Sequence, residues 1–431
     1  MGNVINYEEL NKLKISNDVK SVAKFAFAFR GGFEEANIPD GVTEIGDGAF
    51  YRCLSIKKVT IPESVKEIGN SVFSECGSLE EVTIPKSVKK IGSEAFRGCE
   101  SLKEIDIPEG VEEIGNFAFR ECKSLEKVTI PKSVKKIGIE AFRGCKSLKE
   151  IDIPEGVEII GDGTFYGCCI LQKVTIPKSV KKIGIEAFAG CKLKEINIPE
   201  GVEEIGECAF CGCRFLKKVT IPKSVKKIEQ GVFLLCEFLE EINIPETVTS
   251  IGDSAFDGCD FLEKITIPKS VKKIGTLAFA GCRSLQEISI SEGVEEIGFC
   301  AFCGCIFLKK VTIPKSVKKI GMSTFQGCRS LQEINISEGV EEIGFGAFYK
   351  CNPEKITIPN SVTSIKDGAF GKCEYLEEIT IPNSVKEIRY NAFDECNSLK
   401  TIKWNENVYN SVGEFFEAFN KNNPSSESTL Y

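Results

Sequence analysis

Residues 85–107 are PKSVKKIGSEAFRGCESLKEIDI, and residues 108–130 are PEGVEEIGNFAFRECKSLEKVTI. Aligned from their prolines, the two stretches share valine, isoleucine, glycine, alanine, phenylalanine, cysteine, serine and leucine at the same offsets. Sixteen such repeats, or rungs, begin at Pro39, Pro62, Pro85, Pro108, Pro131, Pro154, Pro177, Pro199, Pro222, Pro245, Pro268, Ser291, Pro314, Ser337, Pro359 and Pro382. A fixed period of this length indicates repeated units that bury their apolar side chains by stacking on one another.

The two ends of the repeat array are degenerate. A weaker rung precedes Pro39, with Ser16, Val19, Val22, Ala26, Phe27 and Phe33 at the repeat positions. After Trp404 the pattern decays into VGEFFEAF, where Phe415, Phe416 and Phe419 fit one face of a helix. The sequence therefore predicts an N-terminal segment and capping repeat over 1–38, sixteen repeats over 39–404, a C-terminal cap over 405–421 and a flexible tail over 422–431.

Each part of a rung has a predicted structural role. The Leu-x-x-Ile-x-Ile segment is short, β-branched and ended by proline, which predicts one strand. Val-x-x-Ile-Gly predicts a second short extended piece, and Ala-Phe-x-Gly-Cys predicts a single helical or 3₁₀ turn. Phenylalanine fills its position from Phe50 to Phe393 in all sixteen rungs, so we expect a continuous aromatic spine in the core.

The charged positions follow a period of two rungs. KSVKKIG alternates with EGVEEIG, so Lys89 and Lys90 are followed one rung later by Glu112 and Glu113. In a parallel stack, identical positions lie side by side, and alternation therefore places opposite charges next to each other. The pattern indicates that charge helps to fix the register and that the array grew by duplication of a two-rung unit.

Composition excludes several classes of function. Lysine and arginine total 55 against 63 acidic residues, a net charge of −8 with no basic block, so nucleic acid is not an expected partner. The chain has no histidine, which removes the commonest general base and the imidazole metal ligands. No phosphate-binding loop, nucleophile elbow or catalytic carboxylate pair is present outside the repeat. We therefore expect neither enzymatic activity nor a cofactor, and no stretch is long and apolar enough to insert into a membrane.

The repeat resembles a known family. The elements Leu-x-x-Ile-x-Ile-Pro, Val-x-x-Ile-Gly and Ala-Phe-x-Gly-Cys are similar to those of BspA-like leucine-rich repeat proteins over about Ser16 to Trp404. The resemblance implies a leucine-rich repeat solenoid, a right-handed superhelix with a parallel β-sheet on its concave face and short helical or 3₁₀ turns opposite. It also implies a surface protein of the adhesin or antigen type that binds host proteins.

Cysteine is unusually frequent, with 21 residues. Sixteen occupy one repeat position, from Cys53 to Cys396. A thiol at the same depth in every rung favours free, buried cysteine acting as a small apolar residue over a disulfide framework. Reduced thiols in turn favour a reducing compartment.

The five extra cysteines are Cys169, Cys208, Cys211, Cys300 and Cys303, and the last four form two copies of CAFCGC. Cys-x-x-Cys on one turn is compatible with half of a zinc site or with a redox pair. The neighbouring rungs offer no fourth metal ligand at the matching position, and block duplication without chemistry is the favoured interpretation.

One variable position gathers aromatic side chains. In five rungs an aromatic residue replaces the serine of Cys-x-Ser-Leu, and these residues are Phe215, Phe238, Phe261, Phe307 and Tyr375. We call this set the aromatic row. It is a candidate protein-binding hot spot, and the alternative is local packing over the turn.

The sequence thus favours a non-enzymatic protein-binding solenoid, expected to be monomeric, with a protein partner of unknown identity. Two settings remain open: a cell-surface adhesin or antigen-like protein binding host or matrix proteins, or an intracellular interaction scaffold. The start, MGNVINYEELNKLKIS, lacks a signal-peptide pattern, and with the many thiols it favours the cytoplasm. The alternative is the cell surface or secretion by a non-classical route. The sequon at Asn335 and a C-terminal peptide resembling a PDZ ligand, Ser428–Tyr431, are weak guides.

Overall fold

A computed structural model of the chain describes residues 11–423. The first ten residues and the tail from Pro424, which includes the Ser428–Tyr431 peptide, lie outside the described residues. The chain divides into two compact units, Met1–Leu216 and Lys217–Tyr431. Both consist of the same stacked turn, so each unit is a parallel-strand β-solenoid of the leucine-rich repeat type.

Each rung of the first unit contributes two short strands, one from each β-branched segment. The strands of the Leu-x-x-Ile-x-Ile segment are Lys12–Lys14 (β1), Glu35–Asn37 (β3), Lys58–Thr60 (β5), Glu81–Thr83 (β7), Glu104–Asp106 (β9), Lys127–Thr129 (β11), Glu150–Asp152 (β13), Lys173–Thr175 (β15) and Glu195–Asn197 (β17). The strands of the Val-x-x-Ile segment are Ser21–Val22 (β2), Glu44–Ile45 (β4), Glu67–Ile68 (β6), Lys90–Ile91 (β8), Glu113–Ile114 (β10), Lys136–Ile137 (β12), Ile159–Ile160 (β14), Lys182–Ile183 (β16) and Glu204–Ile205 (β18).

Strands of the first unit pair in parallel with the equivalent strand of the next rung. The even-numbered strands β2 to β18 form one nine-stranded sheet. The odd-numbered strands form the sheets β1-β3-β5-β7, β9-β11 and β13-β15. The register follows the repeat, since Val128 lies opposite Ile105 and Thr129 opposite Asp106. Every rung therefore presents its equivalent repeat positions to the same face.

The second unit repeats this arrangement. Its odd-numbered strands are Lys218–Thr220 (β19), Glu241–Asn243 (β21), Lys264–Ile267 (β23), Glu287–Ile290 (β25), Lys310–Ile313 (β27), Glu333–Ile336 (β29), Lys355–Thr357 (β31), Glu378–Ile381 (β33) and Thr401–Trp404 (β35). Its even-numbered strands are Lys227–Ile228 (β20), Ser250–Ile251 (β22), Lys273–Ile274 (β24), Glu296–Ile297 (β26), Lys319–Ile320 (β28), Glu342–Ile343 (β30), Ser364–Ile365 (β32), Glu387–Ile388 (β34) and Asn407–Tyr409 (β36). The sheet orders are β20-β22-β24-β26, β23-β25-β27-β29, β28-β30-β32-β34 and β31-β33-β35-β36, and β36 alone pairs antiparallel, with β35.

The core of each unit is a stack of phenylalanine rings. In the first unit, adjacent rings from Phe27 to Phe210 have centroids 5.2 to 5.7 Å apart. In the second unit, the rings from Phe233 to Phe393 are 5.1 to 6.0 Å apart. These stacks are the predicted spine as it occurs within each unit, and each ring buries apolar area against both neighbours.

All 21 cysteines lie within the described residues, and none of them forms a disulfide. The repeat cysteines are buried beside the spine, and their thiols donate to the phenylalanine carbonyl oxygen of the preceding rung. The Cys99 Sγ lies 3.2 Å from the Phe73 oxygen, and the Cys122 Sγ 3.1 Å from the Phe96 oxygen. Each of these oxygens also accepts the cysteine N–H of its own turn, as in the 3.2 Å bond from the Cys76 N–H to the Phe73 oxygen. The cysteine column therefore fills space and gives the phenylalanine carbonyl a second donor.

The Ala-Phe-x-Gly-Cys segments are hydrogen-bonded turns, and a 3₁₀ helix forms at Tyr390–Phe393. In the regular turns, the residues two before and two after the phenylalanine have positive φ, as at Glu94 (57°) and Gly98 (70°). Alternate N–H groups point along the stack, so that the Phe96 N–H donates to the Ala118 oxygen at 2.8 Å. The intervening N–H groups close the turn itself, as in the 3.1 Å bond from the Arg97 N–H to the Glu94 oxygen.

The C-terminal end of the second unit is covered by one helix, Val412–Asn422 (α1). Ser411 is its N-cap, since its hydroxyl accepts a hydrogen bond from the Glu414 N–H at 3.2 Å. Phe415, Phe416 and Phe419 are buried, and the Phe415 ring lies 5.9 Å from that of Trp404. Within residues 11–423, no helix is long and apolar enough to cross a lipid bilayer.

Candidate functional site

The outward face of the odd-numbered strands is polar, and its lysine and glutamate side chains form ion pairs with each other. In the second unit, the Lys310 Nζ lies 2.5 Å from a Glu333 carboxylate oxygen, and the Lys264 Nζ 3.6 Å from that of Glu287. A shallow open depression lies on this face, lined by residues of β19, β21 and β23. Because its charges already pair across rungs, this face offers no concentrated field for a charged ligand.

The even-numbered strands carry the same alternation. The Glu113 carboxylate contacts the Lys136 Nζ at 2.8 Å and the Lys90 Nζ at 3.3 Å. Hydrogen bonding from Lys136, with a smaller contribution from Lys90, holds the pKa of Glu113 below its usual value. The charge alternation predicted from the sequence is therefore present as ion pairs between rungs.

The aromatic row lies on the loops between the turns and the odd-numbered strands. The repeat leucine that follows each position, such as Leu262, is fully buried. The aromatic residue before it faces outward: Phe261 is 48% exposed, Phe307 53% and Tyr375 63%. Backbone bonding between rungs holds the loop, with the Phe261 N–H 3.0 Å from the Glu237 oxygen.

Only part of the aromatic row is brought together. The rings of Phe238 and Phe261 stack with centroids 4.8 Å apart and an interplanar angle of 15°. In the first unit, the Lys192 Nζ lies 5.1 Å from the centre of the Phe215 ring. Ser284 occupies the rung between Phe261 and Phe307, and Ser330 follows Phe307, so the row is broken after the stacked pair.

A second apolar row was missed by the sequence analysis. It consists of Phe299, Met322 and Phe345, the residues directly after Ile-Gly on three successive rungs, and they are 41%, 48% and 54% exposed. Elsewhere this position often holds Asn or Asp, whose side chain bonds the next rung: the Asn116 Oδ1 accepts from the Ile139 N–H at 3.0 Å. The available signal was this change from a hydrogen-bonding residue to a large apolar one.

The two CAFCGC strings lie on the turns, one in each unit. The last cysteine of each string faces the core, as shown by the 3.1 Å bond from the Cys213 Sγ to the Phe188 oxygen. Cys208, Cys211 and Cys303 are part-exposed. Across the described residues, no cluster of three or more histidine, cysteine, aspartate or glutamate side chains is arranged to hold a metal ion.

The repeat is matched by a known family model. The model describes the BspA type leucine rich repeat region and matches residues 3–86, 66–191, 158–283, 249–353 and 341–428. The chain belongs to the BspA-type leucine-rich repeat family. Its repeats are thus of the BspA type throughout, as the phenylalanine and cysteine columns predict.

Solved structures include similar BspA-like chains. A leucine-rich repeat protein from Bacteroides ovatus is 32% identical, with 90% of this chain and 88% of that chain covered and a TM-score of 0.63. A leucine rich cell surface protein from Faecalibacterium prausnitzii is 28% identical, with 87% and 89% covered and a TM-score of 0.40. Comparison with the curated proteins gives no match. The leucine-rich repeat solenoid is typically a non-enzymatic binding scaffold.

Proposed function

We propose that this chain is a protein-binding solenoid without enzymatic activity, whose partner docks on the aromatic row. We further propose that it acts as a cell-surface adhesin or antigen-like protein for host or matrix proteins. The observation that carries the proposal is the stacked pair of Phe238, which is half-buried, and Phe261, which is exposed. Large aromatic side chains supply most of the binding energy at protein interfaces.

The fold itself has little need of aromatic residues at these positions. In other rungs the same position is serine, and the backbone bond is kept: the Ser147 N–H donates to the Lys123 oxygen at 3.1 Å. The buried leucine that follows, Leu262 in the rung of Phe261, already fills the core. An exposed aromatic side chain at a position where serine is sufficient for the fold lowers solubility, but it provides apolar contact area for a partner.

The test is a triple variant, Phe215→Ser, Phe238→Ser and Phe261→Ser, which restores the residue used by other rungs. We expect binding to immobilised purified matrix proteins to fall at least about tenfold, because the apolar contact area is lost. The midpoint of thermal unfolding should change little. Unchanged binding, or a large loss of stability, would favour the alternative of local packing over the turn.

A matched control removes the same kind of area elsewhere. Phe299→Asn, Met322→Asn and Phe345→Asn replace the second apolar row by a residue that this position uses at Asn116. This control should leave binding intact. If it abolishes binding while the aromatic-row variant does not, the docking surface is the second row and the proposed site is wrong.

The free thiols favour a second candidate function, an intracellular interaction scaffold. None of the 21 cysteines, all within the described residues, forms a disulfide, and reduced thiols persist in reducing compartments. Labelling of intact cells with a membrane-impermeant reagent, followed by a count of free thiols, separates the two settings. Labelling of this protein on intact cells supports the adhesin. A protein that the reagent does not reach, and whose thiols are all reduced, supports the intracellular scaffold.

A further inference from the structure

The turn of each rung brings two side chains together that the sequence separates by two residues. These are the residue two before the phenylalanine and the residue directly after it. At these positions the Arg97 Nη1 lies 2.9 Å from a Glu94 carboxylate oxygen, and the Arg143 Nη1 lies 3.0 Å from that of Glu140. Three residues apart and facing each other, the two positions form a pairing slot on the outside of the turn.

The same slot also holds pairs of side chains other than arginine and glutamate. Ser254 and Asp257 occupy it in the second unit, where the Asp257 N–H donates to the Ser254 oxygen at 3.3 Å. The slot depends on the backbone of the turn, since the first residue has positive φ (50° at Ser254) in each of these rungs. The backbone of the turn therefore sets the distance between the two positions.

Cysteine fills both positions of the slot in two rungs. Cys208 and Cys211 occupy it in the first unit, and Cys300 and Cys303 in the second. The first cysteine of each pair has the positive φ of the slot, 54° at Cys208 and 52° at Cys300. The Cys211 N–H donates to the Cys208 oxygen at 2.9 Å, and the Cys303 N–H to the Cys300 oxygen at 3.1 Å. A turn closed by this bond keeps its first and last Cα atoms within about 7 Å, which is within reach of a disulfide.

We propose that Cys208 with Cys211, and Cys300 with Cys303, are two dithiol sites that close to intra-turn disulfides by exchange with a small disulfide such as oxidised glutathione. One protein thiolate attacks the glutathione disulfide, forms a mixed disulfide and expels one glutathione thiolate. The second protein thiolate then attacks the protein sulfur of the mixed disulfide and expels the second glutathione. The two protons lost by the protein appear on the two glutathione thiols, and the protein loses two electrons to the glutathione disulfide.

Accessibility sets which sulfur reacts first. Cys303 is part-exposed and Cys300 is buried, so Cys303 meets the glutathione disulfide and Cys300 resolves the mixed disulfide. Burial raises the pKa of Cys303 to about 12 and that of Cys211 to about 11. Because the thiolate is the nucleophile, closure is slow at neutral pH and accelerates about tenfold per pH unit below those values.

Cys169 provides an internal control. It is exposed, and its neighbour Cys168 is buried and donates to the Phe142 oxygen at 3.2 Å. A mixed disulfide formed at Cys169 therefore meets no resolving thiol and keeps its glutathione. The three sites separate on tryptic digestion, since residues 150–173, 195–214 and 284–309 are each bounded by lysine or arginine.

The experiment treats the native, fully reduced chain with excess oxidised glutathione at mildly alkaline pH. Remaining thiols are alkylated after unfolding, and the peptides are analysed by mass spectrometry. We expect peptide 195–214 to lack two hydrogens and to carry alkyl label on Cys213 alone, and peptide 284–309 to carry it on Cys305 alone. Peptide 150–173 should carry glutathione on Cys169.

Two single variants test the pairing. Cys208→Ser and Cys211→Ser place serine where other rungs already have it, at Ser71 and Ser74. In each variant the remaining cysteine of the pair should keep glutathione, as Cys169 does. Glutathione retained on Cys208 and Cys211 of the unsubstituted chain, alkyl label on both, or a disulfide to Cys213 would each overturn the proposal.

Discussion

The phenylalanine column shows how much one side chain contributes when its surroundings repeat. Each ring in the interior of a stack lies between two others, at spacings such as the 5.3 Å between the centroids of Phe119 and Phe142. Both rings are fully buried. Because the rungs above and below hold the same residue, neither neighbour can move to fill a gap left by a smaller side chain.

We therefore predict that Phe142→Ala lowers the free energy of unfolding by about 3–5 kcal/mol, the range for buried phenylalanine truncations. Urea denaturation followed by circular dichroism measures the loss. Phe345→Ala is the control, because Phe345 is 54% exposed and should cost less than about 0.5 kcal/mol. Equal losses in the two variants would contradict the role of the spine.

A second prediction at this scale concerns pH. The pKa of Glu113 lies below its usual value because Lys136 and Lys90 favour its charged form. The stabilisation of the folded state by the ion pairs of Glu113 is thus complete above the unfolded-state pKa of this carboxyl, about 4.5. It is lost as the pH falls through the lower pKa that Glu113 has in the folded state. Glu113→Gln should therefore show a smaller loss of stability on acidification from pH 7.

Urea midpoints at neutral and acidic pH measure this difference. Lys90→Met with Lys136→Met should flatten the pH dependence in the same way, because it removes the same pairs from the other side. At 1 M NaCl the difference between variant and parent should shrink, since salt screens exposed charges. A pH dependence that is identical in parent and variants would show that these pairs contribute nothing.

At the scale of elements, strands were predictable and turns less so. Alternating β-branched residues between prolines predict the odd-numbered strands, and Val-x-x-Ile predicts the even-numbered ones. Glycines such as Gly98 mark one left-handed position of the turn, whereas residues such as Glu94 carry no local signal, because glutamate rarely adopts positive φ. They are fixed by N–H bonds to the next rung, which are tertiary contacts.

The candidate site was predictable only where a residue departs from the repeat and its orientation follows from the period. Phe261 meets both conditions, because the leucine after it must face inward. The second apolar row departs from the repeat at a position that has no fixed residue. This position holds Asn, Asp, Ser, Thr, Glu, Gln, Ile or Tyr in other rungs, so Phe299 and Met322 did not stand out before their exposure was known.

Helix α1 gives a prediction of its own. Ser411 bonds the Glu414 N–H, and the Glu414 carboxylate accepts from the Asn410 N–H at 3.1 Å, so the start of the helix is held from both sides. Ser411→Ala should destabilise the helix by about 1 kcal/mol. Hydrogen exchange should accelerate over 412–422 and stay unchanged in the spine, whereas acceleration throughout the chain would contradict a local cap.

At the scale of the molecule, the two-rung charge period makes the number of rungs matter. Deleting residues 108–130, one rung, places Lys90 beside Lys136 and Glu104 beside Glu150. Deleting residues 108–153, two rungs, places Lys89 beside Glu158 and Glu104 beside Lys173 instead. The larger deletion preserves the alternation of charge.

We predict that the stabilities of the one-rung and two-rung deletions respond to salt in opposite directions. The one-rung deletion should gain stability as NaCl rises from about 0.05 to 0.5 M, because salt screens its like-charge contacts, each costing a few tenths of a kcal/mol. The two-rung deletion should behave like the parent, whose stability falls slightly as the NaCl concentration rises. Thermal unfolding at the two salt concentrations measures the sign, and a common sign for both deletions would refute the role of alternation.

The packing of α1 also gives the chain a built-in optical probe. Trp404 is the single tryptophan, and its indole is 6% exposed beneath Phe415 and Phe419. Its fluorescence therefore monitors the C-terminal end alone, whereas the near-ultraviolet dichroism of the phenylalanine stacks monitors the interior. During unfolding the two signals separate whenever the end frays before the interior melts, so one unlabelled sample yields both the local and the global transition.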